Sequence, residues 1–365
     1  VAPSKNIFCN SPWYELHIYW DGGLGFCCQE DHRAYPASEN DHYNINQMTI
    51  REWYDSNPMR QVRQGMFAGD RSTVCRRCYH EEDHSDTSRR HRSNQKSVIF
   101  TRTNFIESYK QSPGYNKFEQ SRLNQGQYDG VPIDLHIDLG NYCNLTCKMC
   151  GPHASSSIAA QEVKWGNRQA IKFIGSDWTR DQVVWDRVLN ELVEIPDLKN
   201  IHFMGGETLI TKRFEDFVDF MIEHQRFDLN FSFVTNGTMF NPGLLDKLTR
   251  FGRIGIEVSI ETTTGHNAYQ RQGTNTQEVL DNMERYMSYC NNTNITLTVR
   301  PAISLLTIGR YYTLLRYCLQ HKLLVKGLMA TNPKFLDARI LPDEVRAGYQ
   351  DNYTELLKEF ALEDI

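Results

Sequence analysis

Two rhythms of apolar and polar positions divide the chain. Near the start, Trp13-Tyr14-Glu15-Leu16-His17-Ile18-Tyr19-Trp20 alternates, Asp21-Gly22-Gly23 interrupts, and Leu24-Gly25-Phe26-Cys27-Cys28 resumes the apolar run. Alternation, a glycine turn and renewed apolar residues predict a β-hairpin. From Met48, the residues Ile50, Trp53, Met59, Val62 and Met66 recur at helical spacing, with a break expected at Asn57-Pro58. Residues 80–130 are polar: Glu81, Glu82, Asp83 and Asp86 precede Arg89, Arg90, Arg92, Lys96 and Arg102. A solvated helix or linker is expected there, or a docking face for an acidic segment. Residues 110–131, with Pro113-Gly114 and many Gln and Asn, read as a loop.

From residue 131 short β-like runs alternate with helical ones. Strands are expected near 133–139, 200–204, 229–234, 254–260, 294–300 and 325–330. Helices are expected near 154–164, 179–193, 211–225, 242–250, 276–290 and 308–321, with a last one at about 343–362. Such alternation implies parallel strands joined by crossover helices. The expected class is α/β: a partial (β/α)6 TIM-like barrel, or a doubly wound sheet, behind a small N-terminal α+β domain. The expected division is 1–100, a linker at 101–130, the barrel at 131–340 and a C-terminal helix at 341–365.

Composition narrows the function classes. The formal net charge of -5 and the absence of a broad basic domain argue against nucleic acid as a partner. No apolar run is long enough for a membrane span, and the opening Val1-Ala2-Pro3-Ser4-Lys5 has no apolar signal core; the clustered cysteines point to a reducing compartment, and a cytoplasmic protein is expected. The lack of a starting Met suggests a trimmed start. Ten cysteines in a chain of 365 residues are too sparse for a disulfide scaffold, and most cluster at short range, which points to metal binding.

The strongest cluster is Cys143-Asn-Leu-Thr-Cys147-Lys-Met-Cys150, directly after the strand-like Ile133–Leu139. One tight loop then carries three thiolates at the C-terminal end of a strand, where parallel α/β folds place their chemistry. Three thiolates suit a 4Fe–4S cluster with one open iron. Zinc stays open on spacing alone, because His153 follows closely. Cys143-x3-Cys147-x2-Cys150 resembles the signature of the radical S-adenosylmethionine (SAM) superfamily, with Met149 where relatives often carry an aromatic residue. Other segments match in order. Met204-Gly205-Gly206-Glu207 resembles the Gly-Gly-Glu motif that holds the SAM amino group. Thr235-Asn236-Gly237 resembles the Thr-Asn-Gly turn, and Ser259-Ile260-Glu261 a segment that reaches the SAM ribose or carboxylate. Arg271 resembles an arginine on that carboxylate, and Met329 lies near the expected adenine. The resemblance covers about 131–340. It implies reductive SAM cleavage to methionine and a 5′-deoxyadenosyl radical, abstraction of a substrate hydrogen, and a flavodoxin- or ferredoxin-type electron donor.

In the first part, Cys9, the hairpin with Cys27 and the pair Cys75-Arg-Arg-Cys78 resemble a SPASM/twitch auxiliary cluster domain, although relatives usually carry it after the barrel. Four cysteines would fill a second 4Fe–4S cluster or a zinc site. Successive strand residues face opposite ways, so Cys27 or Cys28 serves, and the distance from Gly22 favours Cys27. The resemblance implies an enzyme acting on a peptide or protein, with oxidation or rearrangement of a small molecule as the alternative. A non-catalytic iron–sulfur or zinc protein is a third reading. No general base stands out; Asp138 and Glu261, at strand ends, are better candidates than His136, His153, His202 or His266. Cys290 and Cys318 read as buried core thiols.

Overall fold

The alternating run at the start forms β1 (Glu15–Ile18), and Leu24–Gly25 forms β2; the two pair antiparallel, with Ile18 opposite Leu24. The turn depends on Gly22, whose φ is +87° and where a Cβ would lie 2.6 Å from Asn44 Oδ1 and 2.9 Å from the Trp178 Cβ. The computed structural model describes residues 7–30, 43–84, 88–94 and 114–360. Asp86, Lys96 and Arg102, named above in the charged stretch, lie outside these residues.

Contact density divides the chain into two units, Val1–Asp138 with Asp177–His202, and Leu139–Ser176 with Phe203–Ile365. In the first, β1 also pairs in parallel with β3 (Asp134–Asp138), His17 standing opposite His136. The hairpin therefore extends the strand that precedes the three-cysteine loop. The expected helical break is present: Ile50–Tyr54 ends before Asn57–Ala68, which begins with Pro58 in its first turn. Trp13, Phe67 and Phe118 pack at tilted and edge-on angles into one aromatic cluster, with centroids 5.1 to 5.4 Å apart.

Two expectations in this unit are corrected. Residues Gly114–Leu123 are a helix rather than loop. Its sequence has little amphipathic rhythm, and docking of Phe118 and of Ser121, which accepts the Trp13 indole N–H at 3.2 Å, supplies what periodicity lacks. Arg89 and Arg90 are not solvated: they start the helical stretch 89–94 and are 9% and 2% exposed.

β4 (Asn200–Met204) has residues in both units, and the second continues with β5 (Asn230–Thr235), β6 (Ile254–Val258), β7 (Ile295–Val299), β8 (Ala302–Ile303), β9 (Leu324–Val325) and β10 (Leu328–Met329). β5, β6, β7 and β9 pair in parallel in that order. Helices Pro242–Leu248, Thr276–Cys290 and Tyr311–Gln320 make the crossovers that parallel pairing requires. The helix Lys212–Glu223 buries Phe214, Phe217, Val218 and Met221, and Phe203 packs edge-on at 4.9 Å to both Phe214 and Phe217. Each such burial is worth about 1.5–3 kcal/mol. The whole is an open, mostly parallel eight-stranded sheet with helices, an α/β fold that fits a partial barrel. The run expected as one strand at 325–330 is split: β9 joins the main sheet, whereas β10 pairs with β8 in a separate two-stranded sheet. Asp343–Glu359 is the last helix. No helix of the described residues is long and apolar enough to cross a membrane.

Candidate active site and auxiliary metal centre

The three-cysteine loop is braced by its own polar residues. Asn141, 1% exposed, donates from Nδ2 to the carbonyl oxygens of Pro152 at 2.9 Å and Phe173 at 2.7 Å. Ser155 caps the helix Ser156–Lys164 and donates to the Leu145 carbonyl at 2.7 Å, and Ser157 donates to the Cys143 carbonyl at 2.7 Å. The N–H groups of Thr146 and Lys148 donate to the carbonyls of Gln272 and Gln270, both at 2.9 Å. Cys147 is buried, Cys143 half-buried and Cys150 exposed. A hydrogen bond from Cys150, with help from the Arg271 guanidinium, lowers the Cys147 thiol to about 7. Burial pushes Cys143 up to about 11.

The Gly-Gly-Glu segment lies directly on this loop. Gly206 has φ +57°, and a Cβ there would fall 2.2 Å from the Tyr142 carbonyl oxygen. The Glu207 N–H donates to that same oxygen at 2.8 Å. The Glu207 carboxylate, 2% exposed, accepts from Thr235 Oγ1 at 2.7 Å, the Asn236 N–H at 2.6 Å and the Leu209 N–H at 3.1 Å. Burial outweighs these bonds and raises its pKa. Thr235 thus holds Glu207, while the Ser259 N–H donates to the Thr235 carbonyl at 2.9 Å. Arg271 places its Nε and Nη2 on both oxygens of Glu261, at 2.7 and 2.6 Å, and its Nη1 lies 4.0 Å from Cys147 Sγ. Glu261 is therefore an ion-pair partner, which argues against its use as a base. Arg300 pairs with Glu257. Met329 lies in β10 and is 45% exposed.

The first unit holds a second constellation. Cys9, Cys27, Cys75 and Cys78 line one cavity, together with Arg89 and Arg90. Burial raises the thiol of Cys9 to about 11 and also raises Cys75 and Cys78. Cys27 is raised chiefly by its hydrogen bond to Cys28. Among the described residues, no three His, Cys, Asp or Glu side chains converge on a single-ion site.

Residues 137–308 match the radical SAM superfamily, and residues 9–79 match an iron–sulfur cluster-binding domain, SPASM. The chain carries a radical SAM domain. Its cofactors are SAM and iron–sulfur clusters, and its SPASM domain precedes the radical SAM domain. The radical SAM cyclopropyl synthase TigE of Paramaledivibacter caminithermalis is 22% identical over 187 residues, 48% of this chain and 36% of that protein. The match therefore spans about a third of the relative's length. Streptococcus suis SuiB bound to its precursor peptide SuiA aligns at TM-score 0.45 and 13% identity, covering 73% of this chain and 58% of that one. AdoMet-bound anSMEcpe aligns at TM-score 0.43 and 18% identity, covering 63% and 60%.

Sequence alone does not show what several residues around the three-cysteine loop do. Asn236 donates from Nδ2 to Asn144 Oδ1 at 2.8 Å, and Asn144 donates to Thr238 Oγ1 at 3.1 Å, tying the cysteine loop to the Thr-Asn-Gly turn. Asn141 is a further such residue; its place between a strand end and the first cysteine is the available signal. Of the histidines, His153 and His266 are exposed. His136 stands in a row with His17 and His202, at 5.8 and 5.2 Å between ring centroids. His17 lies 3.4 Å from Asp138. Cys318 is buried in its helix at 1% exposure, and Cys290 is half-buried.

Proposed function

We propose that this radical SAM protein modifies a peptide or protein by hydrogen-atom abstraction, with Cys143, Cys147 and Cys150 holding the SAM-binding 4Fe–4S cluster. The observation that carries the assignment is the seating of Gly206 and Glu207 on the Tyr142 carbonyl, immediately beside Cys143. That contact puts the buried carboxylate of Glu207, which suits an ammonium, next to the thiolates that would bind the cluster. Met204, Gly205 and Gly206 would offer backbone to SAM. Thr235 would hold Glu207 in place, Ser259 and Arg271 would flank the cofactor, and Met329 would approach the adenine side. The cluster, when bound, supplies the electron that cleaves SAM.

Cys9, Cys27, Cys75 and Cys78 would carry an auxiliary 4Fe–4S cluster, because all four line one cavity. Cys28 is not in that lining. The SPASM domain supports a peptide or protein substrate. A flavodoxin- or ferredoxin-type donor and a cytoplasmic setting complete the proposal. The test is anaerobic reconstitution followed by iron and sulfide analysis, with 5′-deoxyadenosine measured after addition of dithionite and SAM. About eight irons per chain, with deoxyadenosine release, is the expected result. Absence of both iron and release would overturn it.

A further inference from the structure

We propose that two buried arginine–glutamate pairs, Arg89–Glu15 and Arg90–Glu82, set the reduction potential of the auxiliary cluster by presenting their positive ends to it. The proposal rests on the assignment of Cys9, Cys27, Cys75 and Cys78 as cluster ligands. Both arginines lie beyond residues 9–79, the span that matches the SPASM domain.

In each pair the guanidinium reaches both oxygens of its glutamate. Arg89 donates from Nη2 to the two oxygens of Glu15 at 2.9 and 3.1 Å, with side chains 11% and 1% exposed. Arg90 donates from Nε and Nη2 to Glu82 at 2.9 and 2.6 Å, with side chains 2% and 9% exposed. The cavity lining contains both arginines and neither of these glutamates. Each pair therefore stands with its guanidinium in front and its carboxylate behind. Glu30 also lines the cavity and adds one opposing carboxylate. The same segment shapes the site: Arg90 Nη1 and Asn94 Nδ2 each donate to the Phe8 carbonyl at 2.8 Å, just before Cys9.

A cluster with four thiolates is negatively charged, and reduction adds one more negative charge in a poorly screened interior. Nearby net charge and hydrogen bonds are among the factors that set cluster potentials. Positive ends facing the cluster stabilise the reduced form. Removing a rear carboxylate strengthens that effect, and removing a front guanidinium reverses it. The two partners of one ion pair should therefore act with opposite sign.

The experiment is a redox titration followed by electron paramagnetic resonance. It uses the full chain with Cys143→Ala, Cys147→Ala and Cys150→Ala, so that the auxiliary site is the one titrated. Glu15→Gln and Glu82→Gln should each raise the midpoint potential by about 59 mV, a tenfold change in a one-electron equilibrium. Arg89→Gln should lower it by a similar amount, and Arg89→Lys, which keeps the charge, should shift it less. Iron and sulfide are measured on every protein. If the parent background holds no iron, the cluster assignment itself fails. If the parent holds iron and the Glu→Gln variants leave the potential unmoved or lower it, the assignment stands and this inference is overturned. Loss of iron from Glu15→Gln at unchanged melting temperature also overturns it, because the pair would then shape the site rather than charge it.

Discussion

Glu207 gathers three donors inside the second unit, and two of them come from the Thr-Asn-Gly turn. The Gly-Gly-Glu and Thr-Asn-Gly motifs look independent in sequence, but here they form one device. Thr235 and Asn236 orient the carboxylate, leaving its charge for a ligand. Glu207→Gln keeps the shape and loses the charge. Charge-assisted hydrogen bonds are worth about 1.5–3 kcal/mol, so SAM affinity should fall ten- to a hundredfold. Iron content should not change. Equilibrium binding of SAM to the reconstituted protein checks this, and unchanged affinity would remove Glu207 from the SAM site.

Elements matter through their ends. β5 and β6 run in parallel, so Thr235 and Ser259 emerge on one edge, and the Gly206 turn meets the cysteine loop at a distance no side chain tolerates. Gly206→Ala should displace the Tyr142 carbonyl and with it Cys143, so iron bound at the radical SAM site should drop and deoxyadenosine release with it. Gly166→Ala is the control: φ is +92° there, but nothing lies within 4 Å of the new Cβ. That variant should cost about 1–3 kcal/mol of backbone strain and retain its iron. Thermal unfolding and iron analysis of the pair separate strain from displacement. At this scale the strands and crossover helices were legible because each buries a periodic face. The helix Gly114–Leu123 was not, because its place depends on the distant rings of Trp13 and Phe67.

For the whole molecule, the two cysteine constellations lie in different compact units and should load independently. Cys75→Ala with Cys78→Ala should reduce iron from about eight to about four per chain, keep deoxyadenosine release, and abolish conversion of the substrate. Loss of deoxyadenosine release with normal folding would show that the auxiliary cysteines support the first site instead of the later chemistry.

What the sequence determined by itself is the chemistry of close neighbours. Cys143, Cys147 and Cys150 lie within eight residues, so covalent spacing alone keeps the three thiols together. The strand before them and the glycine motif after the next strand were legible for the same reason, since local pattern fixes which end of a strand each motif occupies. Tertiary structure decided everything that depends on burial between distant segments. It gathered Cys9, Cys27, Cys75 and Cys78 around one cavity. It turned Arg89 and Arg90 from a charged surface run into buried partners of Glu15 and Glu82, and it took Arg271 to Glu261. A charge reads as solvated in sequence because water is its cheapest partner. Only the folded chain shows where a carboxylate has replaced that water.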